Sequence, residues 1–122
     1  MTIRESAEMY LETILVLSQT GDVRSIDIAR EMNFSRPSVS VTVHNLEKEH
    51  YISISENGLI KLEKKGKEIA ERIYERHTVL TDILQQIGVP AEIAEQDACK
   101  IEHVISAETF ECIKNATKSL KK

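Results

Sequence analysis

The 122 residues contain no tryptophan and only 4% aromatics, so any interior must be built from aliphatic side chains. Two cysteines, Cys99 and Cys112, are too few for a disulfide scaffold. They suit a reducing compartment, where a cysteine acts as a ligand, a nucleophile or a small core residue. No apolar run approaches the roughly 18 residues that a membrane span needs, and the opening MTIRESAEMY lacks the apolar stretch of a signal peptide. The expectation is a cytoplasmic protein with no membrane partner. Excess positive charge is missing too. A formal net charge of −4 argues against a nucleic-acid partner, because phosphate contacts need cations. The length fits one compact unit, or two very small ones sharing a core.

What is present is helical periodicity. Residues 6–19 read as a helix with Ser6 at its N-cap. Leu11, Ile14, Leu15 and Ser18 line one side of it, while Met9, Glu12 and Val16 lie on another. After TGDV, Ser25 can cap the short helix SIDIAREMN, and Ser35 a second one, RPSVSVTVHNLEKEH, with Pro37 in its permissive first turn. Val39, Val43 and Leu46 face inward, whereas Pro37, Val41, His44 and Lys48 point outward. Two short helices joined by a tight turn make a helix-turn-helix.

In YISISENGLIKLEKKG, apolar residues alternate with polar ones on both sides of Asn57-Gly58. That pattern predicts a hairpin in which both turn residues take positive φ. A helix-turn-helix followed directly by a hairpin is a winged helix. Residues 64–87 then carry Ile69, Ile73, His77, Leu80, Leu84 and Ile87 on one stripe. Gly88 to Pro90 breaks the chain, Pro90 opens a helix reaching about Ile105, and Ser106 caps the last one. The fold class is mostly α with a small β-hairpin: an N-terminal winged helix over 1–70 and a C-terminal helical unit over 71–122. The small C-terminal unit is expected to bury its apolar faces in a homodimer.

Within the helix 91–105, Ala94, Ala98, Ile101 and Ile105 define an apolar face. Glu95, Cys99, Glu102 and His103 group beside it, spread over roughly 100° by the helical period. Thiolate, carboxylate and imidazole together supply metal ligands, although a solvated polar face with a chance cysteine has the same pattern. Met9 alone reads as a gap-filling core residue, and His77 on an aliphatic stripe as a core histidine.

The segments EMYLETILVL, DIAREMNFSRPSVSVTVHNLEKEHYI, Arg76-His77 and DACKIEHVIS together resemble the diphtheria toxin repressor family. These are bacterial metal-dependent transcriptional repressors with iron-sensing and manganese-sensing branches. The resemblance runs in colinear order from about residue 6 to residue 115. It implies a DNA-binding domain over 1–70, a metal-binding and dimerisation domain over 71–122, and a metal-loaded homodimer on palindromic double-stranded operator DNA. Met9, Cys99, Glu102 and His103 match principal metal positions of the iron branch. Glu12 and His77 match ligands of the manganese branch, and His77 also an ancillary ligand of the iron branch.

The departures divide the two branches. The manganese branch has aspartate where Met9 stands and glutamate where Cys99 stands, and the iron branch differs at Glu12, Thr81 and Glu95. The iron branch usually adds an SH3-like domain that these 122 residues do not reach, so length resembles the manganese branch. Soft thioether and thiolate donors favour Fe(II) over the hard Mn(II), which ranks Fe(II) first and Mn(II) second. A second ion held by Glu12, His77 and Glu95, with Glu102 shared, is a further expectation of the resemblance. A divalent load would also offset the negative net charge.

For DNA, Ser35, Arg36, Pro37, Ser38, Ser40 and Val41 can face the groove, and Lys61, Lys64, Lys65 and Lys67 can reach phosphates. Arg36 is the residue able to hold a guanine edge with two hydrogen bonds, and Val41 can meet a thymine methyl. Two other classes compete: a winged-helix regulator that senses oxidation through Cys99 or Cys112, and an enzyme using Cys99 and His103. The enzyme finds no oxyanion loop or Gly-rich phosphate cradle in the sequence, and the reading here is of a protein that is not an enzyme.

Overall fold

The computed structural model describes residues 3–120, with side chains placed for residues 5–119. In chain order the elements are α1 (Ile3–Ser18), α2 (Ser25–Met32), α3 (Arg36–Lys48), β1 (Ile52–Ile54), β2 (Ile60–Leu62), α4 (Lys64–Gln86), α5 (Ala91–Ile101) and α6 (Ala107–Leu120). The chain divides into two compact units between Glu71 and Arg72, within α4. Among the described residues, no helix is long and apolar enough to cross a membrane.

The first unit is a winged helix-turn-helix. Its core is aliphatic, as the shortage of aromatics requires: Leu11, Ile14, Val23, Ile28, Val39, Val43, Leu46, Ile52 and Ile60 are all buried, and Tyr10 is the aromatic among them. Helix α1 starts before Ser6, which therefore lies inside the helix rather than at its cap. The cap of α2 also falls one residue earlier than expected, at Arg24. There the Arg24 backbone N–H donates to Asp27 Oδ2 at 2.9 Å, so the carboxylate three residues on does the capping that Ser25 was expected to do. Ser35 does cap α3, accepting from the Ser38 backbone N–H at 3.3 Å, with proline in the first turn.

The wing pairs Ile52 with Leu62, Ser53 with Lys61 and Ile54 with Ile60, antiparallel. Its turn is not the two-residue form expected from Asn-Gly. Ser55 N–H donates to Leu59 O at 2.9 Å and Gly58 N–H to Ser55 O at 2.9 Å, and of the two central residues only Gly58 has positive φ, 79°. This is a three-residue loop ending in a left-handed glycine, the next commonest hairpin. Two contacts fasten the wing within its unit: Ile60 N–H donates to Val23 O at 2.8 Å, and Arg24 Nε to Asn57 O at 3.4 Å.

Helix α4 ends in a Schellman closure, with Gly88 N–H donating to Gln85 O at 3.0 Å and Val89 N–H to Leu84 O at 2.9 Å. Ile87 was expected on the buried stripe, but it falls past the last helical turn and is 67% exposed. Helix α5 is shorter than expected, because Glu102 is already its C-cap and the chain turns there. Ser106 caps α6, accepting from Thr109 N–H at 3.1 Å.

Gly66, in the first turn of α4, decides how closely that helix approaches the wing. A Cβ there would land on the Tyr51 carbonyl oxygen. That oxygen is already fixed as the acceptor of the Glu63 N–H at 3.0 Å, so it cannot give way. Gly66→Ala is therefore expected to cost about 1–3 kcal/mol of stability through overpacking. Helix propensity alone would give the opposite sign, a gain of about 1 kcal/mol. Urea unfolding followed by circular dichroism separates the two, and a stabilised Gly66→Ala protein would contradict this packing.

Candidate metal centre

The second unit brings α4, the end of α5 and the turn that follows to one buried carboxylate. Cys99, Glu102 and His103 are spaced i, i+3, i+4 from the last turn of α5 into the turn that follows, so their side chains share a face. Their donor atoms all lie within 4.8 Å of one another. Glu102 is completely buried, at 0% exposure. Its Oε2 accepts from His77 Nδ1, on α4, at 2.9 Å, with the donor role assigned to that ring nitrogen. Its Oε1 lies 3.4 Å from His103 Nε2, whose side chain is 4% exposed, and makes no hydrogen bond among the described residues.

A buried carboxylate is costly unless its charge and both oxygens are compensated. Here one oxygen accepts a hydrogen bond and the other, beside the His103 imidazole, accepts none among the described residues. The Cys99 thiol, the Glu102 carboxylate and the His103 imidazole form a donor set suited to a borderline transition metal. The residues present therefore fit a divalent cation, with Cys99, Glu102 and His103 as the grouped donors and His77 hydrogen-bonded to the carboxylate.

The remaining predicted ligands stand apart or belong to the other unit. Glu95 is exposed and lines an open groove of about 630 Å³ with His77, Thr81, Asp82 and Gln85. It is not among the three donors grouped at Cys99. Met9 and Glu12 are half-buried on α1 in the first unit. Cys112 is exposed on α6 and Cys99 partly buried.

On α3, Ser35, Arg36, Pro37 and Ser38 are exposed, Ser40 is half-buried, and Val41 is 63% exposed. Several of these side chains already have local work. Ser35 Oγ donates to Ser38 Oγ at 2.9 Å, and His44 Nδ1 lies 2.7 Å from the Ser40 carbonyl oxygen. Lys61 is exposed on β2. Lys65 is exposed; its ammonium donates to Glu49 O at 3.1 Å and sits 4.2 Å from the Tyr51 ring centroid.

Two arginines given no role from the sequence are structural: Arg24 at the start of α2, whose side chain reaches the wing loop, and Arg76 on α4, whose side chain reaches the turn after α5. Arg76 Nη1 donates to Glu102 O at 3.2 Å and to Ile105 O at 3.0 Å. These partners are 26 and 29 residues away in the chain, beyond any local periodicity. The one signal was position, an arginine directly before His77.

A winged helix-turn-helix joined to a helical unit with a buried carboxylate, thiol and imidazole group defines a class: a nucleic-acid-binding architecture carrying a metal-type donor set. Comparison with known proteins gives the family. Residues 2–58 match the family model described as "Iron dependent repressor, N-terminal DNA binding domain". Residues 63–122 match "Iron dependent repressor, metal binding and dimerisation domain". The chain belongs to the iron-dependent repressor family.

Among its relatives, the diphtheria toxin repressor of Corynebacterium jeikeium (strain K411) is 33% identical over 110 residues, covering 85% of this chain and 44% of that protein. The transcriptional regulator MntR of Salmonella typhimurium is 30% identical over 109 residues, covering 88% of this chain and 69% of that protein. The solved structure of the manganese regulator SloR superimposes with a TM-score of 0.81 at 27% identity, over 97% of this chain and 55% of that one. The chain thus spans between about half and two thirds of these relatives.

The burial difference between the two cysteines is open to test. In the metal-free folded protein Cys112 is expected to react first with a disulfide reagent and Cys99 to lag, with the lag abolished in denaturant. Mass mapping of the labelled peptides reads the order, and equal rates in the folded state would contradict the placement of Cys99.

Proposed function

We propose that this protein is a divalent-metal-dependent transcriptional repressor that binds palindromic operator DNA as a homodimer, with Fe(II) preferred and Mn(II) second. The observation that carries the reading is the buried Glu102 carboxylate with Cys99 and His103 donors within 4.8 Å. Family membership supports it, and relatives in both metal branches leave the choice of metal to ligand chemistry. A thiolate from Cys99 is a soft donor, which favours Fe(II) over Mn(II). Met9 is proposed as a further ligand beside Cys99, Glu102 and His103 on the resemblance of its position. Glu12, His77 and Glu95, with Glu102 shared, are proposed for a second ion on the same ground.

When bound, a divalent cation supplies the positive charge that compensates a buried carboxylate. The chain's own residues do the rest of the work at this site. His77 orients the Glu102 carboxylate through its 2.9 Å hydrogen bond, and the near-total burial of His103 keeps water from that face.

On the DNA side, α3 is the recognition helix of the helix-turn-helix. Arg36 supplies a two-bond guanine contact from its exposed start, Val41 an apolar contact to a thymine methyl, and Pro37 and Ser38 shape the approach. Ser35 is proposed at the DNA face through its exposed helix-capping position and Ser40 through its neighbouring turn. Lys61 on the wing takes a phosphate. Residues 1–70 form the DNA-binding domain and 71–122 the metal-binding and dimerisation domain. The exposed Ile87, Ile93 and Val104, and a groove lined by Ile83, Cys112, Ile113 and Ala116, favour burial of the second unit's apolar surface against a second copy.

The test is anaerobic binding to an operator fragment selected from random duplexes, titrated separately with Fe(II) and Mn(II). Binding at much lower Fe(II) than Mn(II) is expected. The reverse order would mean that Glu12 outweighs Cys99, and undiminished binding in chelator would refute metal dependence. With metal saturating, Arg36→Ala is expected to cost about 1–3 kcal/mol and to relax preference at one guanine position. Lys61→Ala is expected to weaken all sequences alike and to lower the salt slope by about 1.

A further inference from the structure

We propose that Arg76 is the positioning residue of the metal centre: its guanidinium holds the turn that presents Glu102 and His103. The inference rests on the metal reading of that site.

Helix α5 ends at Ile101, with Glu102 as its C-cap, so the carbonyl groups of its last turn have no partners within the helix. The turn that follows is short, closing with Val104 N–H on Ile101 O at 3.0 Å. Both of its flanking carbonyls, Glu102 O and Ile105 O, accept from one nitrogen, Arg76 Nη1, at 3.2 and 3.0 Å. That nitrogen carries two hydrogens, one for each carbonyl. The cation also meets the negative end of the α5 dipole.

Two observations separate this from an incidental surface contact. The guanidinium carbon lies 5.5 Å from the ring centroid of buried Phe110, which holds the plane of the fork against α6. Arg76 Nε is buried and makes no hydrogen bond among the described residues. A cation free to choose its position would keep that donor in water. Its place is set by the two carbonyls and the ring, at the expense of the third donor.

The consequence for the site follows from sequence adjacency. Arg76 grips the main chain of Glu102, and the next residue, His77, grips its side chain at 2.9 Å. One turn of α4 therefore fixes both ends of the central donor, and His103 inherits its position from the same turn. Metal affinity is sensitive to donor placement at the level of about 0.5 Å, so a residue that touches no ligand atom can still set it. Lys114, which reaches Glu75 Oε2 at 3.1 Å, ties α6 to α4 separately, so loss of Arg76 leaves the helices connected.

The test uses the full chain and Co(II) alone as probe, read by the thiolate-to-cobalt absorption that Cys99 provides and calibrated against a competing chelator. Arg76→Met is expected to bind Co(II) about 10- to 100-fold more weakly, the usual effect of removing a group that orients a ligand, with helix content unchanged. Arg76→Lys, which keeps a cation without the planar fork, is expected to fall between Arg76→Met and the parent. Lys114→Met serves as the structural control: whatever thermal stability it loses, its Co(II) affinity is expected to stay at the parent's level.

Parent-like affinity in Arg76→Met would overturn the inference. So would a loss in Lys114→Met as large as that in Arg76→Met, since general loosening would then explain both. If Arg76→Met does not fold, Arg76→Lys decides alone, and parent-like affinity there overturns the inference. A parent chain that shows no Cys99-dependent cobalt band would instead bring down the metal reading itself, a result distinct from either.

Discussion

The feature on which the second unit depends is a carboxylate with no access to water. Glu102 sits at the end of α5, fully buried, with His77 on one oxygen and His103 near the other. Removing such a group from water costs several kcal/mol, and apolar packing would be the cheaper choice for a small helical unit. Its retention, beside a thiol and two imidazoles, is the physical reason to regard the site as built for a cation. The helix endings around it follow the same logic. Gly88 and Pro90 start α5 afresh, and the C-cap at Glu102 turns the chain so that His103 can join the donors.

The first unit has a different character. It closes its own aliphatic core and locks its wing to Val23 and Arg24. With a net charge of −4, the proposed contact with DNA phosphates would rest on individually placed lysines and on partial charges at helix N-termini rather than on a broad basic field. Sequence preference has little side-chain material either: one arginine, small hydroxyls already engaged in capping, and an exposed valine. On the proposed DNA-binding function, duplex shape and deformability would carry a share of the discrimination.

Much of this was legible in the sequence where local rules decide. The order of helices and wing, the Ser35 and Ser106 caps, and the inward Val39, Val43 and Leu46 all followed from periodicity and turn chemistry. The grouping of Cys99, Glu102 and His103 followed from their spacing as well. Local rules failed where a competing local partner existed, as when Asp27 displaced Ser25 at the start of α2. They failed again where Ser55 drew Asn57-Gly58 into a longer loop. The role of Arg76 could not be read, because its carbonyl partners arrive only when α4 and the end of α5 come together. The spacing of Glu95 placed it beside Cys99, but its side chain is exposed on the groove instead.

The chemistry of this site depends on whether Cys99 and Glu102 hold the metal. X-ray absorption at the iron edge, on protein loaded anaerobically with Fe(II), addresses that directly. A thiolate sulfur at about 2.3 Å, together with nitrogen and oxygen neighbours, is the expected shell. It should vanish in Cys99→Ser and persist in Cys112→Ser. A shell of oxygen and nitrogen alone, unchanged by Cys99→Ser, would contradict the account and place the metal elsewhere.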